Sequence, residues 1–379
     1  MIIGIDASNI RAGGGLTHLG QLLSHAAPER NHFSRIIVWG GRQTLTQLPE
    51  KAWLEKVHSR LLDLPLPARV AWQQAMLPKE ILKHSCNVLF SPGGTTPATC
   101  SVPVVTMSQN LLPFSVKDVA YYPLLSPFRI KMSVLRKVQT RSMRRADGVI
   151  FLTNYAKDTL LPIIAGGSDK HAVIPHGIED RFFSEPRKAR TIGSYSAANP
   201  FRVTYVSIID NYKHQVEVAI AVAAVHKAGV PVDMTFIGPA RPGYFSKFKS
   251  LIGEVDPNGE FLHYSGNLFF SELHTEYRNA DLFLFASSCE NLPNILLEAM
   301  ASGTPVVCSN KGPMPEVLGP AGLYFDPEIP AEIETAMHSA IADPELRDKI
   351  AWDGYGRAKK YSWRKCADAT FAYINSVAK

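Results

Sequence analysis

Two carboxylates, Glu290 and Glu298, stand eight residues apart in the stretch Ser287-Ser288-Cys289-Glu290-Asn291-Leu292-Pro293-Asn294-Ile295-Leu296-Leu297-Glu298. The apolar run before Ser287 reads as a strand ending in small polar residues, and Pro293 suits the first turn of a following helix. The backbone N–H groups of Asn294, Ile295 and Leu296 would then open that helix. Unpaired donors and the positive end of the helix dipole make such a place a seat for an anion such as a diphosphate. Glu290 falls in the loop before this end and Glu298 about one turn inside the helix, so both carboxylates border one crevice. A carboxylate so placed can accept hydrogen bonds from sugar hydroxyls. Spacing alone leaves open the alternative that both are solvated surface charges.

Three further places could meet a ligand. Gly13-Gly14-Gly15 follows the first apolar run and precedes the helical pattern from Leu16, and glycines there let the backbone approach an anion closely. A plain flexible turn is the alternative. The dinucleotide pattern Gly-x-Gly-x-x-Gly is not met, and no acid about 20 residues on completes it, so an oxidoreductase lacks its fingerprint. Gln109 and Asn110 follow a strand candidate, where their amides would hydrogen-bond sugar hydroxyls or merely cap a turn. His176, in Pro175-His176-Gly177-Ile178, reads as a structural residue before it reads as a base.

These residues must be carried by strands and helices in alternation. Short apolar runs at Ile2–Asp6, Arg35–Trp39, Asn87–Phe90, Val102–Met107, Gly148–Leu152 and Ala172–Ile174 alternate with helical patterns. A second series follows at Arg202–Val206, Val232–Ile237, Phe261–Tyr264, Leu282–Phe285, Pro305–Cys308 and Gly322–Phe325. Repeated strand–helix units of this kind predict α/β architecture with parallel sheets. The 379 residues suit two doubly wound domains, 1–190 and 191–360, with the polar, proline-flanked stretch 184–200 as the linker. Helices are expected at Pro330–Ala342, Pro344–Lys360 and Trp363–Val377.

Hydrophobic residues at 46% and charged residues at 20% are the balance of a soluble globular chain. No run approaches the ~20 apolar residues of a membrane span, and no signal peptide is read at the start, so a cytoplasmic location is expected. Five scattered cysteines suggest neither a disulfide framework nor a zinc site. Charge is uneven: up to Arg190 there are 24 Lys and Arg against 13 Asp and Glu, or +11, which leaves −5 for the remainder of the total +6. Residues 127–145 carry seven bases and no acid. A solvated helix face is the ordinary meaning of such a run. Its uniform sign favours an anionic membrane surface or a pyrophosphate-linked acceptor, and no nucleic-acid module accompanies it.

From Glu290 the chain reads Glu, seven residues, Glu, and continues through Ala299-Met300-Ala301-Ser302-Gly303-Thr304-Pro305-Val306-Val307, Pro315-Glu316-Val317 and Gly322-Leu323-Tyr324-Phe325-Asp326-Pro327. In these residues it resembles the retaining glycosyltransferases of family four, which have the GT-B fold. The resemblance implies two Rossmann-like domains facing a central cleft, with residues 361–379 crossing back to the N-terminal, acceptor-side domain. It implies transfer from a nucleoside diphosphate sugar to a hydroxyl with retention, in the general style of bacterial O-antigen and exopolysaccharide transferases. Surface polysaccharide or lipopolysaccharide synthesis, at the inner face of the cytoplasmic membrane, would be the setting.

By the same resemblance Glu290 contacts the donor sugar, Glu298 the ribose, and the backbone at Asn294, Ile295 and Leu296 the distal phosphate. Gly14 and Gly15 lie beside the donor phosphates, and Gln109, Asn110 and His176 lie on the sugar or acceptor side. Gln109-Asn110 replaces a family His-Asp pair, which argues against acid–base catalysis from this turn. Lys213 matches the lysine that neutralises the diphosphate. Ser207 and Ile208, however, stand where the family has Gly-Arg, and His214 is a candidate for part of the missing charge. No metal or cofactor is expected. A GT-B isomerase or hydrolase acting on a nucleotide sugar, and an inactive nucleotide-sugar-binding protein, remain alternatives.

Overall fold

Apolar runs of four residues flanked by polar turns can be buried on both faces only inside a parallel sheet covered by helices on each side. The computed structural model of the protein describes residues 1–11, 13–167 and 169–378, and it contains two such sheets. They belong to two units. The first comprises Met1–Phe114, Tyr122–Gly177 and Ser362–Lys379; the second comprises Ser115–Tyr121 and Ile178–Tyr361.

The first unit is built on β1 (Ile2–Asp6), β2 (Arg35–Gly40), β3 (Leu54–His58), β4 (Val88–Ser91), β5 (Val104–Met107), β6 (Gly148–Phe151) and β7 (His171–Val173). Their order in the sheet is β3-β2-β1-β4-β5-β6-β7, all parallel, with Ile3 beside both Ile36 and Val88. Strands β4, β5 and β6 are buried at every residue. Strand β3 is absent from the sequence expectation. It reads Leu-Glu-Lys-Val-His, an edge strand half open to solvent, so it lacks the apolar run that marks the others.

The helix Trp363–Ala378 packs on this unit, burying Phe371 and Ile374 against the helix Gly14–His25 and its neighbours. Asp368 accepts from Arg30 Nε at 2.5 Å and from Asn31 Nδ2 at 2.9 Å, and Tyr373 OH donates to Lys170 O at 2.7 Å. Gly177 ends the unit's middle stretch. A Cβ there would lie 2.0 Å from the Trp363 nitrogen, so only glycine lets these two backbones pass.

The second unit is built on β8 (Phe201–Val206), β9 (Val232–Ile237), β10 (Leu262–Gly266), β11 (Leu282–Phe285), β12 (Val306–Ser309) and β13 (Leu323–Phe325), in the order β10-β9-β8-β11-β12-β13. Its first continuous residue is Ile178, where the sequence expectation places a boundary at 190/191. The stretch 184–200 is not a free linker. Arg187 Nη2 donates to Ala280 O at 2.8 Å, Ala189 N to Asp348 Oδ1 at 2.6 Å and Tyr195 OH to Asp281 Oδ1 at 3.0 Å. Its polar groups are tied to the unit they precede, and composition alone cannot tell a bound strap from a mobile one. Among the described residues no helix is long and apolar enough to cross a membrane.

Candidate active site

Strands β8 and β11 flank the point where the order of the second sheet reverses, with β9 and β10 on one side and β12 and β13 on the other. Loops at the carboxyl ends of such strands border the crevice in which doubly wound sheets hold ligands. Lys213 comes from the short 3-10 turn Asn211–Lys213 after β8, and Glu290 from the loop after β11. The two meet: Lys213 Nζ donates to Glu290 Oε1 in a short ion pair. The lysine is buried, its carbonyl accepts from Tyr205 OH at 2.7 Å, and its ammonium lies 5.0 Å from the centre of the Tyr212 ring. Removing one partner of such a pair strands the other, typically at ~3–5 kcal/mol.

The loop between β8 and Lys213 is tightly specified. Ser207 is buried, and its hydroxyl accepts from Gln215 Nε2 at 2.7 Å and donates to Ile208 O at 3.2 Å. That hydroxyl braces the loop. Gly238 crosses behind it with φ +139, and a Cβ there would fall 2.1 Å from Ser207 O. In the free protein His214 does not supply the charge missing at Ile208. It is buried, and burial pushes its pKa down to about 4, so it is neutral at neutral pH. Arg241, which no local motif marks, lies beside this loop. Its backbone N donates to Ile209 O at 3.0 Å, and its Nε donates at 2.6 Å to the buried Asp210. The guanidinium itself is partly exposed.

The expected helix runs Asn294–Ala301 with Pro293 at its N-cap, and the proline makes no side-chain cap. The first bond of its ladder is Leu297 N to Pro293 O at 3.1 Å, so the amides of the first turn come before the ladder begins. Leu296 is buried as a side chain and can offer only its backbone. Glu298 is partly buried and accepts from Tyr277 OH at 2.9 Å. Burial pushes its pKa up to about 8, against the lowering effects of the tyrosine and of Arg181. It is therefore mostly protonated at neutral pH. A pairing 21 residues apart leaves no local pattern, so the sequence does not mark Tyr277 as its partner.

The segment Ser115–Tyr121 joins this unit at the same place. Asp118 accepts from Ser288 Oγ, close to Glu290, and Ser288 N donates to Tyr212 O at 2.9 Å. Lys117 Nζ reaches Glu328 at 2.5 Å and Tyr121 OH reaches it at 3.1 Å, while the Tyr121 ring meets His214 edge-on with centroids 5.9 Å apart. The loops bearing Lys213 and Glu290 are thus braced from a distant part of the chain.

In the first unit, Gly15 and Gln109 are brought together, since a Cβ on Gly15 would stand 2.9 Å from Gln109 Oε1. Gly14 opens the helix Gly14–His25, after Gly13 at φ 69. Gln109 Nε2 lies 3.3 Å from His18 Nδ1, and His18 stacks on His176 with ring centroids 4.5 Å apart. His176 in turn stacks on Trp363 at 5.5 Å. Burial, with His176 adjacent, holds the His18 pKa well below its ordinary value, so its neutral ring can accept the amide proton of Gln109. Asn110 has a local role: its side chain accepts from Leu112 N at 3.0 Å and closes a turn.

Residues 193–357 match the family described as glycosyl transferases group 1. Among curated proteins, the O-antigen chain mannosyltransferase B of Escherichia coli is 34% identical over 110 residues, 29% of this chain and 29% of that protein. Matches to the first curated relatives cover 21% to 57% of those proteins' lengths. Among solved structures, sucrose-phosphate synthase from Thermosynechococcus elongatus superposes with a TM-score of 0.75 at 17% identity, covering 99% of this chain and 98% of that one. Anabaena Alr3699/HepE, solved in complex with UDP, gives 0.73 at 17% identity, covering 99% of each. At such identity these structures establish the fold, two Rossmann-like parallel-sheet domains of GT-B type.

Proposed function

We propose that this chain, whose residues 193–357 match the glycosyl transferases group 1 family, is a retaining glycosyltransferase that moves a sugar from a nucleoside diphosphate sugar to a hydroxyl of a glycan or lipid-linked acceptor. The observation that carries this reading is the Lys213–Glu290 pair at the switch point of the second sheet, in the loops that precede the helix bearing Glu298. UDP in the Anabaena structure adds support for a nucleotide donor. In the reaction the bond from the anomeric carbon to the diphosphate oxygen breaks, and the diphosphate takes the electron pair. The acceptor oxygen bonds to that carbon and gives up its proton to the departing diphosphate oxygen. Charge grows on the diphosphate, so Lys213, the first-turn amides of Asn294, Ile295 and Leu296, and Arg241 as the second cation stabilise the transition state more than the ground state. Glu290, paired to Lys213 in the free protein, is placed to take sugar hydroxyls once the phosphate claims the lysine. No metal enters the step.

Transfer assays against a panel of nucleotide sugars test this. Lys213→Ala, checked for an intact thermal transition, should lower turnover by far more than it weakens nucleotide binding, and excess chelator should leave turnover unchanged. Lys213→Ala turnover within a factor of two of wild type would place the diphosphate elsewhere. Release of free sugar without any acceptor requirement would favour a hydrolase on the same site.

A further inference from the structure

The helix Pro127–Arg145 hides one face and displays another whose composition is unusual. Met132, Gln139, Ser142 and Met143 are buried against the first unit. Ile130, Val134 and Val138, spaced four apart on the other side, are 52%, 56% and 44% exposed, and Leu124 and Leu125 just before the helix are 70% and 83% exposed. The turn that carries the leucines is fixed. Ser126 N donates to Pro123 O at 2.9 Å, Ser126 Oγ accepts from Arg129 N at 3.2 Å, and Arg129 Nη1 donates to Tyr122 O at 3.0 Å. Two leucines are therefore held out in water by an ordered turn.

At ~100° per residue, Lys137, Arg141 and Arg145 continue along the outward face begun by Ile130 and Val134. Arg136, Lys137, Arg141, Arg144 and Arg145 line an open basin of about 810 Å³. The displayed surface is thus apolar at its beginning and basic at its end. Counted over the observed units, the first carries 22 Lys and Arg against 10 Asp and Glu, or +12, and the second −6. A second copy of this surface is excluded as the occupant, since it would set seven bases against seven. The exposed leucines, Ile130 and Val134 stand outside the basin, whose lining is mostly basic, so the apolar residues are displayed on a surface and do not line a pocket for a peptide side chain.

We propose that residues 124–145 dock the first unit onto an anionic lipid bilayer. Leu124, Leu125, Ile130 and Val134 enter the boundary between headgroups and acyl chains, while Lys137, Arg141, Arg144 and Arg145 lie against lipid phosphates. Apolar insertion gives hold, and the bases give selectivity for negative headgroups. The inference stands on this surface alone and does not depend on the donor-site reading.

Flotation with phosphatidylglycerol–phosphatidylcholine vesicles at low salt should carry the full-length protein, and pure phosphatidylcholine should not. The triple variant K137E/R141E/R145E should lose at least about a hundredfold in partition, at roughly a fivefold step per base near the surface. L124S/L125S should lose at least about tenfold. In L125W the tryptophan emission should shift to the blue only with anionic vesicles. Calorimetric nucleotide affinity should be unchanged in all three variants, which separates this test from that of the donor site. Absence of flotation at low salt, equal flotation on neutral lipid, retention by the charge-reversed variant, or a water-like emission from L125W on bound vesicles would each overturn the proposal.

Discussion

Glu298 ties nucleotide affinity to pH in a way that can be worked out beforehand. Its carboxyl is pushed up to about 8 by burial while Tyr277 OH donates to it. If ribose hydroxyls bind the ionised form, the ligand must first draw off the proton. At pH 7 about one eleventh of the groups are ionised, so this costs about 1.4 kcal/mol, one unit of pKa difference. Affinity for a nucleoside diphosphate should therefore rise about eightfold from pH 7 to pH 8.5 and then level off. Binding at pH 7 should release about 0.9 proton, measured as the dependence of calorimetric enthalpy on the ionisation enthalpy of the buffer. Glu298→Gln, a neutral isostere that keeps the tyrosine bond, should release no proton through this group, show a flat profile, and bind at least about tenfold more weakly at pH 8.5. Proton release that is absent in wild type, or preserved in Glu298→Gln, would refute the assignment of this carboxylate to the ribose.

The same group affects folding, with the opposite preference for pH. Its pKa is raised in the fold, so its contribution to stability is complete below the unfolded value of 4.5 and is lost as pH rises through about 8; the thermal midpoint of wild type should fall relative to that of Glu298→Gln between pH 6 and 9. Arg241→Ala should lower turnover at least about tenfold with a smaller loss of nucleotide affinity, if the guanidinium answers leaving-group charge, and unchanged turnover would remove it from the site. Phe371→Ala, at a fully buried position in the C-terminal helix, should cost about 3–5 kcal/mol in denaturant unfolding of the first unit.

What the sequence discloses follows physical locality. Strands β4 and β11 are legible because burial on both faces demands an apolar run, while β3 escapes because its charged residues face solvent at an edge. The Glu290–Glu298 interval and Lys213 are visible as text, but their pairing is not: Lys213 and Glu290 lie 77 residues apart. Spacing along the helix Pro127–Arg145 suggests an inner stripe of Phe128, Met132, Leu135, Val138 and Ser142, and the structure buries Met132 and Ser142 but turns Val138 out. Gln139 faces in, because polar residues hold the inner face. Ser142 Oγ there accepts from Thr96 N at 3.1 Å. Hydrophobic periodicity cannot register a contact of that kind. His214 shows the same limit, since nothing local to it tells that burial leaves it neutral.

The membership of Ser115–Tyr121 in the second unit bears on how such chains can be recombined. A graft that exchanged only residues 193–357 between two chains would import loops shaped to receive Asp118, Lys117 and Tyr121 without the heptapeptide that supplies them. Ser288 and Glu328 would then meet whatever the recipient carries at those positions. Chimeras that also transplant the heptapeptide should therefore outperform those cut at the apparent domain boundary, because the heritable module is discontinuous in the polypeptide.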